Sequence, residues 1–253
     1  MMHKRLLQQE AYNKEMEVAS KIQAYLIPTE LMLPVNEYVQ TASFYLPHFM
    51  IGGDYYDFIE FNKNEFGFCI ADVSGKGISA ALLMSNFQAN LRAMFNEKIE
   101  LVELIKRLNY KVLENAKNER FITLFIARYN YVSCKLEYIN AGHNSPLLYF
   151  SEKNQLIDLE SGCIGLGMID EITDINIGII EDMSKSKLIC FTDGLIEVAS
   201  NEGVIMESSL IRKIVSNNLT IQTNIESLKN IVEERKIKNN VFDDVSILGM
   251  EFK

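Results

Sequence analysis

The fold is decided by residues 55–95, YYDFIEFNKNEFGFCIADVSGKGISAALLMSNFQANLRAMF. Two apolar runs, YYDFIEF and FGFCIADVS, flank the polar turn Asn62-Lys63-Asn64, a pattern typical of a β-hairpin. The next run, ISAALLMSNFQANLRAMF, is apolar on one face and free of Gly and Pro, which predicts a helix. A strand pair followed by a long helix indicates an α+β fold rather than alternating β and α units.

The remaining elements also come in runs of one type. LVELIKRLNYKVLENA predicts a second helix after the first, and SSLIRKIVSNNL and NIESLKNIVEERK predict another pair. The predicted strands are VQTASFYL, FITLFIARYNYV, KLEYINAG, SPLLYFSE, ITDINIGIIE, KLICFTDG and DVSILGMEF. We therefore predict an α+β protein with mostly antiparallel sheets and helix pairs packed outside them.

The composition excludes several classes of protein. The chain has 253 residues, 48% of them hydrophobic, which is enough for the core of one large domain and rules out general disorder. A net charge of −9 argues against nucleic acid and anionic membrane surfaces as partners. No apolar run is long enough for a membrane span, and the N-terminus lacks the apolar segment of a secretory signal. The four cysteines form no CxxC pair, so we expect no zinc site and a reducing, cytoplasmic location.

Residues 4–26 predict an N-terminal helix with one apolar stripe, which Pro28 ends. We predict two parts on this basis: a helical extension over residues 1–28 and one domain over residues 29–253. Either the helix packs on its own domain or it is a short dimerising or signal-relay helix, since the stripe is too short for a clear coiled coil. The apolar stripe consists of Met16, Ala19, Ile22 and Leu26.

Acidic residues recur at the ends of apolar strands, where carboxylates are normally rare. If these strands share one end of a sheet, their carboxylates converge, and like charges a few ångströms apart repel unless cations lie between them. Ligation by oxygen alone favours Mg²⁺ or Mn²⁺ over zinc or copper. Asp is also a common turn and cap residue, so each one taken singly has a structural explanation. The acidic residues in question are Asp54, Asp57, Asp72, Asp193, Asp243 and Asp244.

Two further motifs have weaker chemical meaning. The turn Gly75-Lys76-Gly77 departs from the phosphate-binding P-loop, because Ile70 and Gly77 stand where that loop has Gly and Ser or Thr. A glycine-rich turn that opens a helix can still present backbone N–H groups to an anion. His143, in AGHN, is expected to be structural, since no nucleophile pattern such as GxSxG accompanies it.

Eight blocks occur in a characteristic order: IQAYLIP, GGDYYDF, ADVSGKGISAALLMS, FITLFIARYN, YINAGHNSPLLY, GLGM, LICFTDGLIEV and DDVSIL. Over residues 19–252 the chain thereby resembles the SpoIIE/RsbU-type serine phosphatases, the bacterial branch of the metal-dependent type 2C protein phosphatases. The resemblance implies a four-layer αββα sandwich with two stacked antiparallel sheets and flanking helix pairs. It also implies two divalent ions, Mn²⁺ or Mg²⁺, and hydrolysis of phosphoserine or phosphothreonine on a regulatory protein. That substrate is typically a STAS-domain anti-anti-sigma factor in a partner-switching pathway.

The resemblance also assigns roles to residues. Asp72 would bridge both metals, Asp57 would support the ligands from nearby, and Gly75, Lys76 and Gly77 would bind the phosphoryl group. A metal-bound hydroxide would attack phosphorus in line, so no Ser or Cys nucleophile is needed. The metal ligands would be Asp54, Asp72, the carbonyl of Val73, Asp193 and Asp243. Asp244 is an open alternative to Asp243. The catalytic residues would be Asp54, Asp72, Asp193 and Asp243.

The chain departs from the family pattern at three points. Residues Val204–Glu207 lack an expected aromatic-Gly pair, and Ser74 stands where eukaryotic relatives have His. The Arg with which those relatives bind phosphate has no assignable match.

The helix pair over residues 78–117 resembles a regulatory switch beside the metals. We hypothesise that residues 4–28 pack near it and couple homodimer formation to activity. Because the chain shows no sensor domain, the input is expected from an upstream domain or an activator protein.

Two alternatives to the protein phosphatase stay open at this point. The first is a catalytically weak partner-binding module on the same fold, which loss of a metal aspartate would indicate; all of them are present. The second is a metal-dependent hydrolase of small phosphoesters or nucleotides, although no base-binding motif is evident.

Overall fold

The computed structural model describes residues 2–29, 34–197, 208–237, 241 and 243–253. The family departure at Val204–Glu207 lies outside these residues. The helices are α1 Met2–Ala24, α2 Ile78–Met94, α3 Leu101–Ala116, α4 Asp193–Ile196, α5 Ser208–Val215 and α6 Ile221–Ile237. The strands are β1 Val39–Leu46, β2 Tyr55–Asn62, β3 Glu65–Val73, β4 Ile122–Asn130, β5 Lys135–Ala141, β6 Leu147–Phe150, β7 Gln155–Asp158, β8 Gly178–Ile180, β9 Ser186–Phe191 and β10 Val245–Phe252.

The strands form two five-stranded antiparallel sheets. The first has the order β1-β10-β9-β6-β7 and the second the order β2-β3-β4-β5-β8. The hairpin of β2 and β3 has Tyr55 opposite Ala71 and Phe58 opposite Phe68, and it turns at the predicted polar residues. The α+β fold class is therefore confirmed.

Alternation of side chains along the strands divides the core into two clusters. In β9, Leu188 and Cys190 face the cluster between the sheets, whereas Ile189 and Phe191 face the outer cluster. The inner cluster continues through the second sheet to α2 and α3, and the outer cluster packs on α5 and α6. The order of layers is thus helix pair, sheet, sheet, helix pair, as the family resemblance implied.

Three element predictions need correction. Strand β7 was not predicted, because QLID is short and lacks the alternation of a half-buried strand. Only Gly178–Ile180 of the predicted strand ITDINIGIIE pairs with a neighbour, since β8 is an edge strand that meets only three residues of β5. The segment at Asp193 leaves β9 and begins the one-turn helix α4, so this aspartate follows the strand rather than ending it.

The C-terminal half of α1 and the turn after it face the domain with the predicted stripe and with Gln23. Met16, Ala19, Ile22 and Leu26 line a groove together with residues of α2, as expected for a helix packed on its own domain. Ile22, however, is 59% exposed, and the neighbouring Gln23 is 6% exposed. The helix therefore buries a carboxamide where the apolar pattern predicted an isoleucine.

A buried ion pair joins α2 to β2. Asp57 is fully buried, and its two carboxylate oxygens accept hydrogen bonds from Arg92 Nε at 2.6 Å and Arg92 Nη2 at 2.7 Å. The Tyr55 hydroxyl donates to the same carboxylate. Arg92 lies in the last turn of α2, about 21 Å along the helix from its first residue. Asp57 thus fixes the far end of α2, and its predicted role of supporting the metal ligands stays a prediction.

A buried lysine joins β9 to the connection between α5 and α6. Lys187 is 4% exposed, and its ammonium group donates to the carbonyl oxygens of Asn217 at 2.6 Å and Leu219 at 3.0 Å and to Asn224 Oδ1 at 2.9 Å. Burial lowers the pKa of Lys187. These bonds hold the outer helix pair against the strand that leads to Asp193.

No helix in the described part of the chain combines the length and the apolar character needed to cross a membrane.

We predict that Lys187→Met lowers the free energy of unfolding by about 2–4 kcal/mol, because several buried oxygens lose their only charged donor. Urea denaturation measures this change. Lys229→Met is the matched control, since Lys229 makes only an exposed ion pair with Glu226 at 3.6 Å, and it should change stability by less than ~0.5 kcal/mol. Equal urea midpoints for the two variants would contradict the prediction.

We predict that Arg92→Met lowers the free energy of unfolding by about 2–3 kcal/mol, because it leaves the Asp57 carboxylate buried without a counter-ion. The side chain of Arg92 is 50% exposed, so water reduces the loss below that of a fully buried pair. Adding Asp57→Asn should restore part of the stability by removing the unpaired charge. Arg107→Met, which breaks an exposed pair with Glu103, is the control. A double variant less stable than Arg92→Met alone would refute this explanation.

Candidate active site

The predicted acidic residues other than Asp57 meet at one end of the sandwich. Asp54 precedes β2, and Asp72 lies near the end of β3, the two strands being paired so that these ends adjoin. Asp193 follows β9 and Asp244 precedes β10, which pair in the same way in the other sheet. Antiparallel pairing therefore brings together carboxylates that are far apart in the sequence.

Asp54 is buried, and two consecutive hydrogen bonds from the other sheet hold its carboxylate. The Thr192 hydroxyl donates to Asp54 Oδ2 at 2.7 Å, and it accepts a hydrogen bond from the Ser246 amide at 2.9 Å. Burial raises the pKa of Asp54, and the negative charges of Asp72 and Asp244 raise it further. Thr192 thus fixes one oxygen of this carboxylate and links β9 and β10 to the segment before β2.

Asp244 holds the segment that leads to Asp54. Its Oδ1 accepts the His48 amide at 2.7 Å and its Oδ2 accepts the Gly53 amide at 2.6 Å. A Cβ on Gly194 would lie 1.9 Å from the carbonyl oxygen of Asp244, so only glycine permits this close approach of the chains. Burial raises the pKa of Asp244. Both of its oxygens are engaged in holding the backbone of the 48–53 segment.

Asp72 lies among several other carboxylates. Burial and the charges of Asp193, Asp243 and Asp244 raise its pKa to about 7. The next residue places its carbonyl toward the same region, because a Cβ on Gly53 would lie 3.0 Å from the Val73 oxygen. This carbonyl, predicted as a ligand, therefore lies beside the backbone that leads to Asp54.

Asp193 and Asp243 form the more exposed side of the cluster. Burial, followed by the charges of Glu197 and Asp243, raises the pKa of Asp193. Lys76 Nζ lies 2.7 Å from Asp243 Oδ2, and the side chains of this pair are 41% and 25% exposed. Lys76, predicted to bind phosphate, thus contacts one of the predicted metal ligands across the edge of the site.

The Gly75–Gly77 turn opens α2 beside this cluster. Gly75 and Gly77 have φ values of 87° and 75°, a backbone region that favours glycine. Arg120 Nη1 donates to the Ser74 carbonyl at 2.8 Å and Nη2 to Ser79 Oγ at 3.0 Å. The turn is therefore held from outside by a guanidinium group, next to the place where an anion would meet the helix N-terminus.

His143 has the features of a structural residue. It is 6% exposed, burial lowers its pKa to about 4, and its Nδ1 lies 2.9 Å from Thr123 Oγ1. Thr123 is opposite Asp72 in the β3–β4 ladder. His143 is thus a neutral side chain next to the acidic cluster. Among the described residues it contacts no nucleophile.

The donors of this site are all oxygen atoms, which suits hard divalent cations such as Mg²⁺ and Mn²⁺. Burial, and after it the charges of neighbouring carboxylates, raises the pKa values of Asp54, Asp72 and Asp193. Within the described residues, however, no three acidic, His or Cys side chains lie in an arrangement ready to hold an ion. The chemistry of the donor set fits such an ion, and the side chains would have to turn toward it.

Sequence reasoning missed three residues of this region: Gln23, Arg120 and Thr192. Thr192 stands in LICFTDG next to a predicted ligand, so its position offered a signal. Gln23 and Arg120 form hydrogen bonds with backbone segments that are remote in the sequence. The Gln23 carboxamide donates to the Gly52 carbonyl, and the Arg120 guanidinium donates to the Ser74 carbonyl before the Gly75–Gly77 turn. No local pattern reveals contacts of that kind.

Comparison with known proteins agrees with this geometry. The family described as "Stage II sporulation protein E (SpoIIE)" matches residues 62–253. "Phosphoserine phosphatase RsbU" of Bacillus subtilis (strain 168) is 30% identical over 248 residues, which cover 97% of this chain and 72% of RsbU. The SiaA-PP2C domain of Pseudomonas aeruginosa superimposes with a TM-score of 0.82 at 16% identity, over 97% of this chain and 99% of that domain. RsbX in complex with magnesium superimposes with a TM-score of 0.68 at 20% identity, over 87% of this chain and 98% of RsbX.

The two structural comparisons, both below 25% identity, support the fold alone, whereas the family match and the similarity to RsbU extend to the sequence. The order of the strands, the acidic end of the sandwich and these similarities agree. The chain belongs to the SpoIIE family and is a phosphoprotein phosphatase of the SpoIIE/RsbU type.

Proposed function

We propose that this phosphatase is metal-dependent and removes phosphate from phosphoserine or phosphothreonine on a regulatory protein. The observation that carries the proposal is the convergence of buried and half-buried aspartates from separate segments at one end of the sandwich, with raised pKa values. A carboxylate cluster of this kind is costly without cations and suited to holding them.

The proposed ligands of two divalent ions, Mn²⁺ or Mg²⁺, are Asp54, Asp72, the Val73 carbonyl, Asp193 and Asp243. When bound, such ions supply a hydroxide from water at neutral pH and neutralise phosphoryl charge. Of the two adjacent aspartates we favour Asp243 as the ligand, because one of its oxygens contacts the half-exposed Lys76 ammonium, whereas Asp244 is buried and holds two backbone amides. The magnesium complex of the structurally similar RsbX supports the class of ion.

The chain's own residues would orient the substrate. The Gly75–Gly77 turn opens α2 and can present backbone N–H groups to phosphoryl oxygens. Lys76 and Arg120 add positive charge at this turn, one through its ion pair with Asp243 and the other through its bond to Ser74. In the proposed enzyme Lys76 turns from Asp243 to the phosphoryl group as the substrate enters, which leaves that carboxylate free to ligate.

For the substrate we infer a phosphorylated STAS-domain protein, which is what the resemblance to the SpoIIE/RsbU-type phosphatases implies. The 30% identity to RsbU, which is named a phosphoserine phosphatase, supports phosphoserine as the group that is hydrolysed. An upstream sensor domain or activator protein would supply the signal. The helical extension over residues 1–28 would serve a homodimer, with residues 29–253 as the phosphatase domain. The free cysteines suit a cytoplasmic location.

We predict that Asp72→Asn and Asp193→Asn each lower the rate of phosphate release at least 100-fold, because each removes a charged metal ligand. The assay uses purified protein with Mn²⁺, p-nitrophenyl phosphate and a phosphorylated STAS protein. Asp170→Asn, an exposed aspartate outside the site, is the matched control and should keep wild-type activity. Full activity in the Asp72/Asp193 double variant would refute the metal assignment.

The same assay separates the alternatives. Hydrolysis of p-nitrophenyl phosphate without hydrolysis of the phosphoprotein would favour an enzyme for small phosphoesters. Binding of the STAS protein without phosphate release from either substrate would favour a partner-binding module.

We predict that the metal-free protein loses stability as the pH rises from 5 to 8. The folded-state pKa of Asp72, about 7, exceeds the usual value of 3.8, so in this window the folded state keeps a proton that the unfolded state has lost. Thermal unfolding in EDTA measures the trend. Mn²⁺ should raise the unfolding temperature more at pH 8 than at pH 6, since binding requires the charged carboxylates. The Asp72→Asn variant should show a flatter pH dependence in EDTA, and a wild-type stability that rises from pH 6 to 8 would contradict the prediction.

A further inference from the structure

The hydroxyl of Tyr45 is buried beside the acidic cluster and has no hydrogen-bond partner. Tyr45 lies on β1 and packs against the inner cluster of the core, whereas the flanking Phe44 and Leu46 pack against the outer cluster. Its hydroxyl oxygen is inaccessible to water and bonds to no atom of the part of the chain that the structure describes. Buried donors without a partner are rare in folded proteins, so this one calls for a physical explanation.

The nearest charged groups to this hydroxyl are carboxylates of the acidic cluster. Tyr45 is opposite Ser246 in the β1–β10 ladder, two residues after Asp244. The point where a Cβ of Gly52 would lie is 2.6 Å from the Tyr45 hydroxyl oxygen and 2.6 Å from Asp244 Oδ2. Burial, followed by the charges of Asp244 and Asp54, raises the pKa of Tyr45, so the hydroxyl keeps its proton. A donor therefore lies close to two buried carboxylates and bonds to neither.

Packing alone does not account for a hydroxyl at this position. A buried donor without a partner costs free energy, whereas phenylalanine would fill the same volume without that cost. As the acidic cluster stands, no three of its side chains in the described ranges are arranged to hold an ion, so carboxylates must turn to bind one. Carboxylates that ligate a metal are themselves fixed by hydrogen bonds, which an unused donor nearby can supply.

Of the two carboxylates near the hydroxyl, Asp54 is the proposed metal ligand, while Asp244 holds two backbone amides. The Thr192 hydroxyl donates to Asp54 Oδ2 and ties that oxygen to the first sheet. We propose that Tyr45 is a positioning residue for the metal site, and that its hydroxyl donates to the Asp54 carboxylate when this side chain turns to a divalent ion. Hydroxyls from β1 and from the residue after β9 then orient one ligand together. This inference rests on the proposed metal-dependent function.

The test uses Tyr45→Phe, which removes the hydroxyl and keeps the ring. Tyr149→Phe is the matched control, because the Tyr149 hydroxyl has a partner, Asn154 Oδ1 at 3.0 Å. Tyr149 is opposite Lys187, toward the end of β9 that is remote from Asp193. Calorimetric titration with Mn²⁺ gives the binding midpoint, p-nitrophenyl phosphate gives kcat and KM, and thermal unfolding in EDTA gives the stability of the metal-free protein.

We expect Tyr45→Phe to raise the Mn²⁺ midpoint about 10-fold, the lower end of the range for residues that orient metal ligands. Its unfolding temperature in EDTA should equal or exceed that of the wild type, because the metal-free protein loses no hydrogen bond. At subsaturating Mn²⁺ its kcat should fall with KM changed less than about twofold, and saturating Mn²⁺ should restore much of it. Tyr149→Phe should show the opposite pattern, a lower unfolding temperature with an unchanged Mn²⁺ midpoint.

Two results would overturn the proposal. One is a Tyr45→Phe variant that binds Mn²⁺ with the wild-type midpoint. The other is an unfolding temperature of Tyr45→Phe in EDTA that falls as far as that of Tyr149→Phe, because the hydroxyl would then already be bonded in the metal-free protein. Wild-type protein that binds no Mn²⁺ would instead refute the proposed metal-dependent function, and the inference with it.

Discussion

Burial of like-charged carboxylates at one end of the sandwich is the constraint on which the rest of this structure depends. Asp54 and Asp244 are nearly inaccessible to water, and burial raises the pKa of both. Hydrogen bonds offset part of that cost, and they come from Thr192, from His48 and from Gly53. Since these donors belong to different segments, the cluster can form only when both sheets are in place. The site is therefore a product of the whole fold rather than of one motif.

Close approach of backbones makes this arrangement possible. At Gly52 a side chain would collide with the Asp244 carboxylate, and at Gly194 it would collide with the Asp244 carbonyl. The glycines beside the acidic residues in GGDYYDF and TDG thus have a packing role, because they let one aspartate brace two segments. Asp244 accordingly holds the backbone of the 48–53 segment with both of its oxygens.

The sequence reveals those parts of the fold that depend on periodicity. Alternation identifies β9, whose Leu188 and Ile189 face different clusters, and aspartates at strand ends indicate the acidic site. Contacts between segments remote in sequence leave no such trace: the Asp57–Arg92 pair spans 35 positions and the Gln23–Gly52 bonds span 29. The apolar stripe of α1 even pointed to Ile22 in place of Gln23, because hydrophobicity patterns assume that buried residues are apolar.

Helix α2 connects these observations, since its two ends are held differently. Its last turn is fixed by the buried bidentate pair of Arg92 with Asp57, while its first turn follows the glycine turn that Arg120 holds by single hydrogen bonds. The carboxylates beside that first turn repel one another, so a small displacement there changes their spacing and hence their affinity for cations. The first turn of α2 and the segment that Gln23 holds are thus the two places at which a displacement would alter the spacing of the carboxylates.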